Sequence, residues 1–589
     1  MFMPTTKDEL KKLNWEQLDI ILINGDTYID SPYSGIAIVG QLLLQQGFKV
    51  GIIAQPNYES DTDITRLGEP KLFWGVSSGL VDSMVANYTA LKKFRNSDDF
   101  TPSMVNNRRP DRATLVYSNL IRRYFKNTVP IVLGGIEASL RRTAHYDFWS
   151  NKVRGSILFD AKADILVYGM AEKTIVELAN SFKDNKSYED IRGLCYISKE
   201  KKENYIELPT LKECQDKNDK SKFIDMFHLF YNNNDPLTSN GLSQEHNGRY
   251  LIQNPPQFYM QESEIDNVYN LPYEREVHPF YAKDGKVKAM ETIRFSITTH
   301  HGCYGECNFC AISVHQGRTI RSRSESSILK EVKGFTQNKK FKGTISDVGG
   351  ATANMYGYEC NKKLEKGVCE DRRCTGFKMF NPNNRKKEWN EYKICPVLKP
   401  NHKRNINLLQ DIRNIDGVKK VFVNSGIRYD LINEDKEYGK EYLKEIVTHH
   451  VSGQMKIAPE HSETKVLKFM GKPDKKVLTD FKQKFEDLNK QSGKKQFLTY
   501  YMIAAHPGST QKDMEDLKRF ANSDLKLNPE QVQVFTPTPS TYSTLMYYTE
   551  LNPWTKEPIY VEKDPMKKQK QKDIVTQKSS NNYNQRKRR

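Results

Sequence analysis

The chain has 589 residues, nine cysteines and a formal net charge of +18, and 37% of its residues are hydrophobic. This length exceeds what one hydrophobic core organises, so two or three domains are expected. No run approaches the roughly 18–20 apolar residues of a membrane span, and an odd cysteine count argues against a disulfide framework. We therefore expect a cytoplasmic protein that does not cross a membrane.

The first 195 residues predict a doubly wound α/β domain. Short apolar runs that predict strands alternate with helical segments, at 19–24, 49–54, 72–76, 130–135 and 164–169. The alternation predicts a parallel sheet with helices on both faces. Such sheets bind ligands beyond the carboxyl ends of their strands. Candidate residues along that edge are Asp26, Asp30, Gly134, Gly135, Glu137 and Gly169.

The loop at residues 25–35 occupies the position at which cobalamin-binding domains carry an Asp-x-His-x-x-Gly motif. In this chain Ser31 and Pro32 follow Asp30, so no histidine is available to coordinate cobalt. The sequence therefore predicts a domain of cobalamin-binding-like fold without assigning cobalamin to it.

Residues 196–290 are polar but contain several aromatic side chains and the pair Pro255-Pro256. A simple flexible tether would not need these. We expect a bridging segment that packs over both neighbouring domains and borders the active site.

Residues 291–550 predict a second α/β domain. Six strand-like runs, most of them alternating with helices, begin near residues 294, 343, 421, 454, 497 and 531. This order predicts a partial (β/α)6 barrel of the TIM type, in which chemistry is expected at the carboxyl ends of the strands. Candidate residues at those ends are Gly349, Gly350, Ser425, Arg428, Glu460, His461 and His506.

The first of these strands leads into a loop with three cysteines, Cys303, Cys307 and Cys310, separated by three residues and by two. Thiolates are the preferred ligands of iron–sulfur clusters, and three of them leave one iron of a four-iron cluster open. A zinc knuckle or three buried thiols are the alternatives. The lack of a fourth ligand at matching spacing argues against structural zinc.

An insertion at residues 351–400 carries four more thiols, and the chain ends in a polar, basic tail over 551–589. The insertion thiols could hold zinc or a second iron–sulfur cluster, or they could be thiols without a metal; they are Cys360, Cys369, Cys374 and Cys395. Low hydrophobicity predicts a disordered tail. Two roles are considered for the tail, which are to keep the protein in solution and to contact RNA nonspecifically.

Several long motifs identify a family. They are Gly134–Arg142, Asp347–Gly357, Lys456–His461 and Phe535–Pro539, together with the cysteine loop and Phe309 before its last cysteine. With these stretches the chain resembles the YgiQ-type family of radical S-adenosylmethionine proteins over nearly its whole length, apart from the tail.

The resemblance implies a cofactor site. Cys303, Cys307 and Cys310 would hold a 4Fe–4S cluster whose fourth iron binds S-adenosylmethionine. Residues that would contact S-adenosylmethionine are Phe309, Gly349, Gly350, Ser425 and Arg428. Candidates for contact with the substrate are Glu460, His461 and His506, with Arg141, Arg142 and His145 as further candidates; for each of them a structural ion pair or cap is the alternative.

The implied reaction is cleavage of S-adenosylmethionine to a 5′-deoxyadenosyl radical that abstracts hydrogen from a substrate. It would require an electron donor such as flavodoxin or ferredoxin. The family supplies no substrate. The competing hypotheses are a non-catalytic, metal-stapled RNA-binding protein, which would explain the charge, and a radical enzyme that modifies RNA.

Overall fold

The computed structural model describes residues 1–369, 374–377 and 392–577. The chain divides into two compact units. The first comprises residues 1–302, 311–341 and 365–368, and the second comprises residues 303–310, 342–364 and 369–589.

The strands up to residue 341 are short. Their bounds are β1 Ile20–Asn24, β2 Ile29–Asp30, β3 Val50–Ala54, β4 Phe73–Ser77, β5 Ile131–Leu133, β6 His145–Asp147, β7 Lys152–Arg154, β8 Ile165–Val167, β9 Leu194–Ser198, β10 Ile206–Leu208, β11 Leu242–His246, β12 Arg249–Gln253, β13 Glu276–Val277, β14 Ser296–Thr298, β15 His300–His301 and β16 Arg321–Ser322.

The helices of the same part of the chain are α1 Lys7–Lys12, α2 Gly35–Gln45, α3 Ser83–Asn87, α4 Ala113–Tyr124, α5 Gly135–Ser139, α6 Ile157–Ala161, α7 Glu172–Lys183, α8 Leu211–Cys214, α9 Ser221–Asn232, α10 Glu262–Tyr269, α11 Pro279–Ala282, α12 Met290–Ile293, α13 Ile312–His315 and α14 Glu325–Thr336, with a 3₁₀ turn at Pro102–Met104.

The first unit is built on a nine-stranded sheet of order β10-β11-β12-β9-β8-β5-β4-β1-β3. The five strands from β8 to β3 are parallel to one another, which confirms the predicted parallel sheet. Successive side chains of β1 pack into two different hydrophobic cores. Ile20 and Leu22 lie in the core on one face of the strand, and Ile21 and Ile23 lie in the core on the other. Each fully buried aliphatic side chain of this kind contributes roughly 1.5–3 kcal/mol.

The chain between residues 196 and 290 differs from the predicted bridging segment. Its strands β10, β11 and β12 extend the sheet beyond β8 through β9, and β9 and β12 run antiparallel to their neighbours. Polar composition hid these strands because several of their polar side chains are buried in the fold, among them Ser243, Gln244, His246 and Gln253.

Side chains and backbone groups of the first unit occupy the space at the carboxyl end of β1. The Asp26 carboxylate forms an ion pair with buried Arg109 and accepts the Leu80 N–H over 2.6 Å. Asp30 accepts hydrogen bonds from Gln41 and from the Glu274 N–H, and β13 pairs with β2 beside it. These predicted edge residues are therefore bound to groups of their own unit.

From residue 342 onward the strands are β17 Thr344–Ile345, β18 Asp347–Gly349, β19 Thr375–Gly376, β20 Lys393–Ile394, β21 Lys420–Val421, β22 Gln454–Glu460, β23 Phe497–Ala504 and β24 Val532–Val534. The helices are α15 Asn361–Lys366, α16 Lys403–Arg413, α17 Tyr429–Glu434, α18 Gly439–Glu445, α19 Thr464–Met470, α20 Lys475–Gln491, α21 Gln511–Phe520, α22 Tyr542–Thr549 and α23 Pro565–Thr576. A 3₁₀ turn lies at Ala353–Met355, and π-helical turns follow α18 and α21 at Ile446–His450 and Ala521–Leu525.

Most strand pairs described in the second unit are parallel, and the short pair of β19 and β20 is antiparallel. β17 pairs with β21, and β22, β23 and β24 form a parallel sheet. A single parallel bridge between Ile427 and Ile457 joins the chain after β21 to β22. Because parallel strands end at one edge, the residues after β22, β23 and β24 share that edge. Closure of these strands into a barrel remains a prediction.

The predicted disordered tail differs from the structure over part of its length. Asp564 caps α23 by accepting the Lys567 N–H over 2.8 Å, and Val575 is fully buried. Residues 578–589 lie outside the described residues, as do residues 370–373 and 378–391 of the insertion. None of the helices in the described part of the chain is long and apolar enough to cross a lipid bilayer.

Candidate active site

The three-cysteine loop belongs to the second unit as residues 303–310. Cys303, Cys307 and Cys310 are half-buried, and none of them forms a disulfide. Within the loop the Cys310 N–H donates to the Cys307 carbonyl over 3.0 Å, and the Gly305 N–H donates to Cys303 Sγ over 3.4 Å. The loop is therefore a compact turn that presents three thiols from eight residues.

Asn308 fixes this loop to the rest of its unit. Its backbone N–H donates to the Met470 carbonyl over 2.9 Å, and its side-chain amide donates to the Phe469 carbonyl over 2.8 Å. Its own carbonyl accepts the Ser543 N–H over 2.9 Å. The loop is thus held at the end of α19 and the start of α22, a role of Asn308 that no motif in the sequence indicates.

Arg428 lies against the loop. Its guanidinium donates to both carboxylate oxygens of Asp430, over 2.8 and 2.7 Å, and to the Tyr392 hydroxyl over 2.5 Å. A Cβ added at Gly305 would overlap Arg428 Nη1 and lie 3.2 Å from Cys303 Sγ. The absence of a side chain at Gly305 therefore allows a fixed cation to approach the thiols.

The charge of Arg428 acts on those thiols. Burial raises the pKa of the Cys303 thiol and the neighbouring Cys307 raises it further, while Arg428 and a hydrogen bond with Thr352 lower it. A guanidinium at this position favours the thiolate form that ligates metal. Arg428 was predicted to contact S-adenosylmethionine, but its polar atoms contact Asp430 and Tyr392.

Ser425 lies beside Gly349 and is bound by Asp347. The Asp347 carboxylate accepts the Asn424 N–H over 2.8 Å, the Ser425 N–H over 3.0 Å and the Ser425 hydroxyl. A Cβ on Gly349 would lie 3.0 Å from the Ser425 side chain. The structure therefore brings these two predicted residues together, and Gly350 follows directly on Gly349 at the end of β18.

Glu460 is buried at the end of β22 with a left-handed backbone, φ 70°. Burial raises the pKa of its carboxyl group, and Lys472, 3.5 Å away, partly opposes this effect. The Lys472 ammonium also lies 5.9 Å from the centre of the Phe309 ring. Lys472, which the sequence analysis missed, therefore joins Glu460 to the cysteine loop.

The two predicted histidines are buried and neutral. Burial lowers the pKa of His461 to about 4 and that of His506 to about 3. The His506 ring packs edge-on against Phe309, 6.3 Å between centres, and its Nε2 lies 2.7 Å from the Ser543 hydroxyl. His506 is thus placed to support Phe309, and it has no free ring nitrogen for a substrate.

Gln571 of α23 holds the turn that carries His506. Its side-chain oxygen accepts the Ala505 N–H over 3.0 Å, and its side-chain amide donates to the Ser509 carbonyl over 3.2 Å. Ala505 has a left-handed backbone, φ 57°, which is uncommon for a residue with a side chain. The last helix therefore stabilises an unusual turn behind Phe309.

The insertion thiols do not form a ready-made zinc site. A tetrahedral four-thiolate site with Zn–S bonds near 2.3 Å brings its sulfur atoms to within about 4 Å of one another. Among the described residues, the one set of three ligand atoms within 4.8 Å is formed by Glu463, Asp513 and Asp516. Cys360, Cys369, Cys374 and Cys395 are not such a set, so metal binding there remains a prediction.

The other substrate candidates lie in the first unit and contact its own groups. Arg141 pairs with Asp82, and Arg142 donates to Gln253 over 3.0 Å and to the Ser139 carbonyl over 2.6 Å. Burial lowers the pKa of His145 to about 3. A role of these three residues in substrate binding stays a prediction.

The donor set of the loop fits an iron–sulfur cluster. The three thiols provide the ligands, and the nearby fixed guanidinium provides compensating positive charge. Glycine at position 305 leaves space.

Comparison with known proteins identifies the class of this chain. A family model described as "Radical SAM N-terminal" matches residues 2–296, and a domain of unknown function, DUF3362, matches residues 530–588. The chain belongs to the UPF0313 family, which is a radical SAM family. A UPF0313 protein of Fusobacterium nucleatum is 58% identical over 98% of this chain and 99% of its own length, and one of Thermotoga neapolitana is 47% identical over 98% of both.

One solved structure shares the fold at low identity, and a second is similar at a lower score. The methyltransferase TsrM of Kitasatospora setae, solved with cobalamin and a 4Fe–4S cluster, has a TM-score of 0.50 and 13% identity; the match covers 89% of this chain and 76% of that one. OxsB, a cobalamin-dependent S-adenosylmethionine radical enzyme, has a TM-score of 0.48 over 94% of this chain and 58% of its own. The TsrM match supports the α/β fold alone.

Gly305→Ala tests the approach of Arg428 to the thiols. Overpacking by one methyl group typically costs about 1–3 kcal/mol, so we expect iron bound per chain after reconstitution and gel filtration to fall by half or more. Gly334→Ala is the control, because a Cβ there meets nothing within 4 Å. Equal iron retention in both variants would contradict the packing derived for this loop.

Gln571→Ala tests the support from α23. Removing this side chain leaves the Ala505 N–H and the Ser509 carbonyl without their partner, at a cost of roughly 1–3 kcal/mol. We expect a lower melting temperature and weaker iron retention. Lys570→Ala, an exposed change on the same helix, should alter neither the melting temperature nor the iron retention. A Gln571→Ala protein that keeps the iron content of the wild type would contradict the support that α23 is inferred to give.

Proposed function

We propose that this protein is a radical S-adenosylmethionine enzyme whose cluster is held by Cys303, Cys307 and Cys310. The observation that carries the proposal is the loop itself. It offers three thiols, Asn308 anchors it, and Arg428 lies against it at Gly305. Three ligands leave one iron of a 4Fe–4S cluster open for a small molecule.

When bound, the cluster would supply the electron that cleaves S-adenosylmethionine to methionine and a 5′-deoxyadenosyl radical. The electron itself would come from an external donor, for which a flavodoxin or a ferredoxin is the proposed partner. The radical would then abstract hydrogen from a substrate that the fold does not name.

The protein's own residues would hold and orient S-adenosylmethionine. Gly349 and Gly350 give the backbone a bare strand end, where a ligand's amino group can meet carbonyl oxygens. The Asp347–Ser425 pair keeps that strand end in place, so Ser425 is proposed as a positioning residue. Phe309, fixed between Lys472 and His506, offers an aromatic surface for the adenine.

Arg428 is proposed to act on the cluster instead of on the ligand. Its Nε and Nη2 donate to Asp430 and Tyr392, and its charge offsets that of the thiolates. Glu460 remains a substrate-side candidate, because burial raises the pKa of its carboxyl group and Lys472 is its ion-pair partner. His461 and His506 are proposed as structural supports.

Cobalamin does not fit the residues of the first unit. Asp26 and Asp30 are bonded within the unit, β13 lies beside β2, and no histidine follows Asp30. The cavity beside Glu137 and His145 measures about 10 Å³ and the one at the end of β8 about 90 Å³, so neither has room for a corrin ring. No step of the proposed function therefore uses cobalamin, although TsrM was solved with it.

The RNA hypotheses gain no specific support. The basic residues 586–589 lie outside the described residues, and the insertion thiols are not gathered into a tetrahedral site among those described. Binding of RNA as a substrate or partner stays a prediction from the charge of +18.

Reconstitution tests the function. After anaerobic reconstitution with iron and sulfide and reduction with dithionite, the wild-type protein should convert S-adenosylmethionine to 5′-deoxyadenosine. Cys307→Ala removes one of three cluster ligands, so we expect most of the iron to be lost and 5′-deoxyadenosine to fall at least a hundredfold. The product is measured by chromatography with mass detection.

The matched control is Cys214→Ala, which removes a buried thiol of α8 in the other unit. Its cluster content and product yield should equal those of the wild type. A wild-type protein that carries a full cluster yet forms no 5′-deoxyadenosine would contradict the proposed function. A Cys307→Ala protein that retains all its iron would contradict the ligand assignment.

A further inference from the structure

A second buried cation, Lys472, lies beside Phe309 of the three-cysteine loop. Helix α19 is followed by Gly471, whose backbone is left-handed with φ 70°. The Gly471 N–H donates to the Lys468 carbonyl over 3.2 Å, and the Lys472 N–H donates to the Leu467 carbonyl over 3.0 Å. This pair of bonds is the Schellman pattern of helix ends, and it fixes the backbone of Lys472 directly after α19.

The same helix end holds the cysteine loop. The last two carbonyls of α19 accept the side-chain amide and the backbone N–H of Asn308, respectively. Hydrogen bonds at one helix end therefore set the position of Lys472 relative to the loop, and its ammonium lies 5.9 Å from the centre of the Phe309 ring. Because Phe309 is joined to Cys310 by a peptide bond, a positive charge is held close to the thiols.

The charge of Lys472 is only partly compensated. Its ion-pair partner is Glu460, with Nζ and Oε1 3.5 Å apart, whereas charge-assisted hydrogen bonds are typically about 2.7–2.9 Å long. Burial raises the pKa of the Glu460 carboxyl group, so the surroundings of the pair disfavour the negative charge. A net positive charge therefore remains near Phe309.

Two fixed cations thus lie against the loop. Arg428 approaches it at Gly305, and Lys472 approaches it at Phe309. Both act on the same neighbour, because burial raises the pKa of Asp430 but Arg428 and, to a smaller extent, Lys472 bring it below its usual value. The field of Lys472 therefore extends to the carboxylate that holds Arg428.

Fixed charges matter for a cluster that has to accept an electron. The reduction potential of an iron–sulfur cluster depends on its net charge, on hydrogen bonds to its sulfurs and on its exposure to solvent. Reduction adds one negative charge to a group that is already bound to thiolates, so a nearby cation stabilises the reduced form more than the oxidised form. At an effective dielectric constant of about 20, a unit charge about 10 Å away changes such an equilibrium by roughly tenfold.

We propose that Lys472 favours the reduced form of the cluster held by Cys303, Cys307 and Cys310, and so sets the potential at which an external donor can reduce it. The step that Lys472 affects is the transfer of one electron from that donor to the cluster, in which no covalent bond forms or breaks. This role of Lys472 rests on the proposed function, because it requires a cluster in the loop. Lys472 acts through its charge and is not a catalytic residue.

The test is the midpoint potential of the reconstituted protein, measured without S-adenosylmethionine by a dye-mediated titration in which electron paramagnetic resonance counts the reduced cluster. Lys472→Met keeps the approximate length of the side chain and removes its charge. We expect the ratio of reduced to oxidised cluster at a fixed potential to fall at least tenfold, which lowers the midpoint of a one-electron couple by about 59 mV or more. Lys472→Gln, a second neutral variant, should give the same direction. Lys472→Arg keeps the charge and should keep the ratio within threefold of the wild type.

Lys468→Met is the matched control, because it removes an exposed lysine from α19 itself. Its midpoint should equal that of the wild type, since water and salt screen an exposed charge. The midpoint is read on the fraction of each variant that keeps its cluster after gel filtration. Iron content and melting temperature are recorded for each variant, so a loss of structure is seen separately from a shift in potential.

Neutral variants of Lys472 with the wild-type midpoint would overturn the proposal. So would a Lys472→Arg midpoint as low as that of the neutral variants, because the charge would then not be the cause. A wild-type protein that binds no cluster would instead contradict the proposed function, so the two failures are distinguishable.

Discussion

The candidate active site depends on one physical constraint, which is the presentation of three thiols beside a fixed cation. Thiolates are costly to bury without compensating charge. Arg428 provides that charge, and Asp430 and Tyr392 hold its guanidinium in place. The absence of a side chain at Gly305 lets the cation approach, and Asn308 fixes the loop through three hydrogen bonds. The ligands, the counter-charge and the anchor thus form one arrangement.

The second unit supports this arrangement from behind. Phe309 packs on His506, and His506 meets Ser543, whose N–H donates to Asn308. Gln571 clamps the turn that carries His506, so the last described helix is connected to the loop through side-chain and backbone contacts. The segment matched by DUF3362 therefore has a structural part in the candidate site. Neutral histidines suit this structural role, because burial disfavours the positively charged, doubly protonated ring at ordinary pH.

Sequence reasoning located what depends on local pattern. The parallel strands of the first unit follow from apolar runs, and the cysteine loop follows from ligand spacing. Sequence reasoning missed the features that depend on tertiary contacts. α23 is rich in lysine and glutamine and has little apolar pattern, yet Gln571 is buried because it satisfies a distant turn. The partners of Arg428, and the strands at residues 206–253, likewise become evident only once the chain is folded.

The central claim is that the three thiols hold a cluster with one iron open to S-adenosylmethionine. The most direct measurement is the electron paramagnetic resonance spectrum of the reduced cluster, recorded with and without S-adenosylmethionine. Because the ligand would bind the open iron, the account predicts a change in the g values on addition and hyperfine coupling to nitrogen-15 in the labelled amino group. A reduced cluster whose spectrum is unaltered by saturating S-adenosylmethionine, with no such coupling, would contradict it.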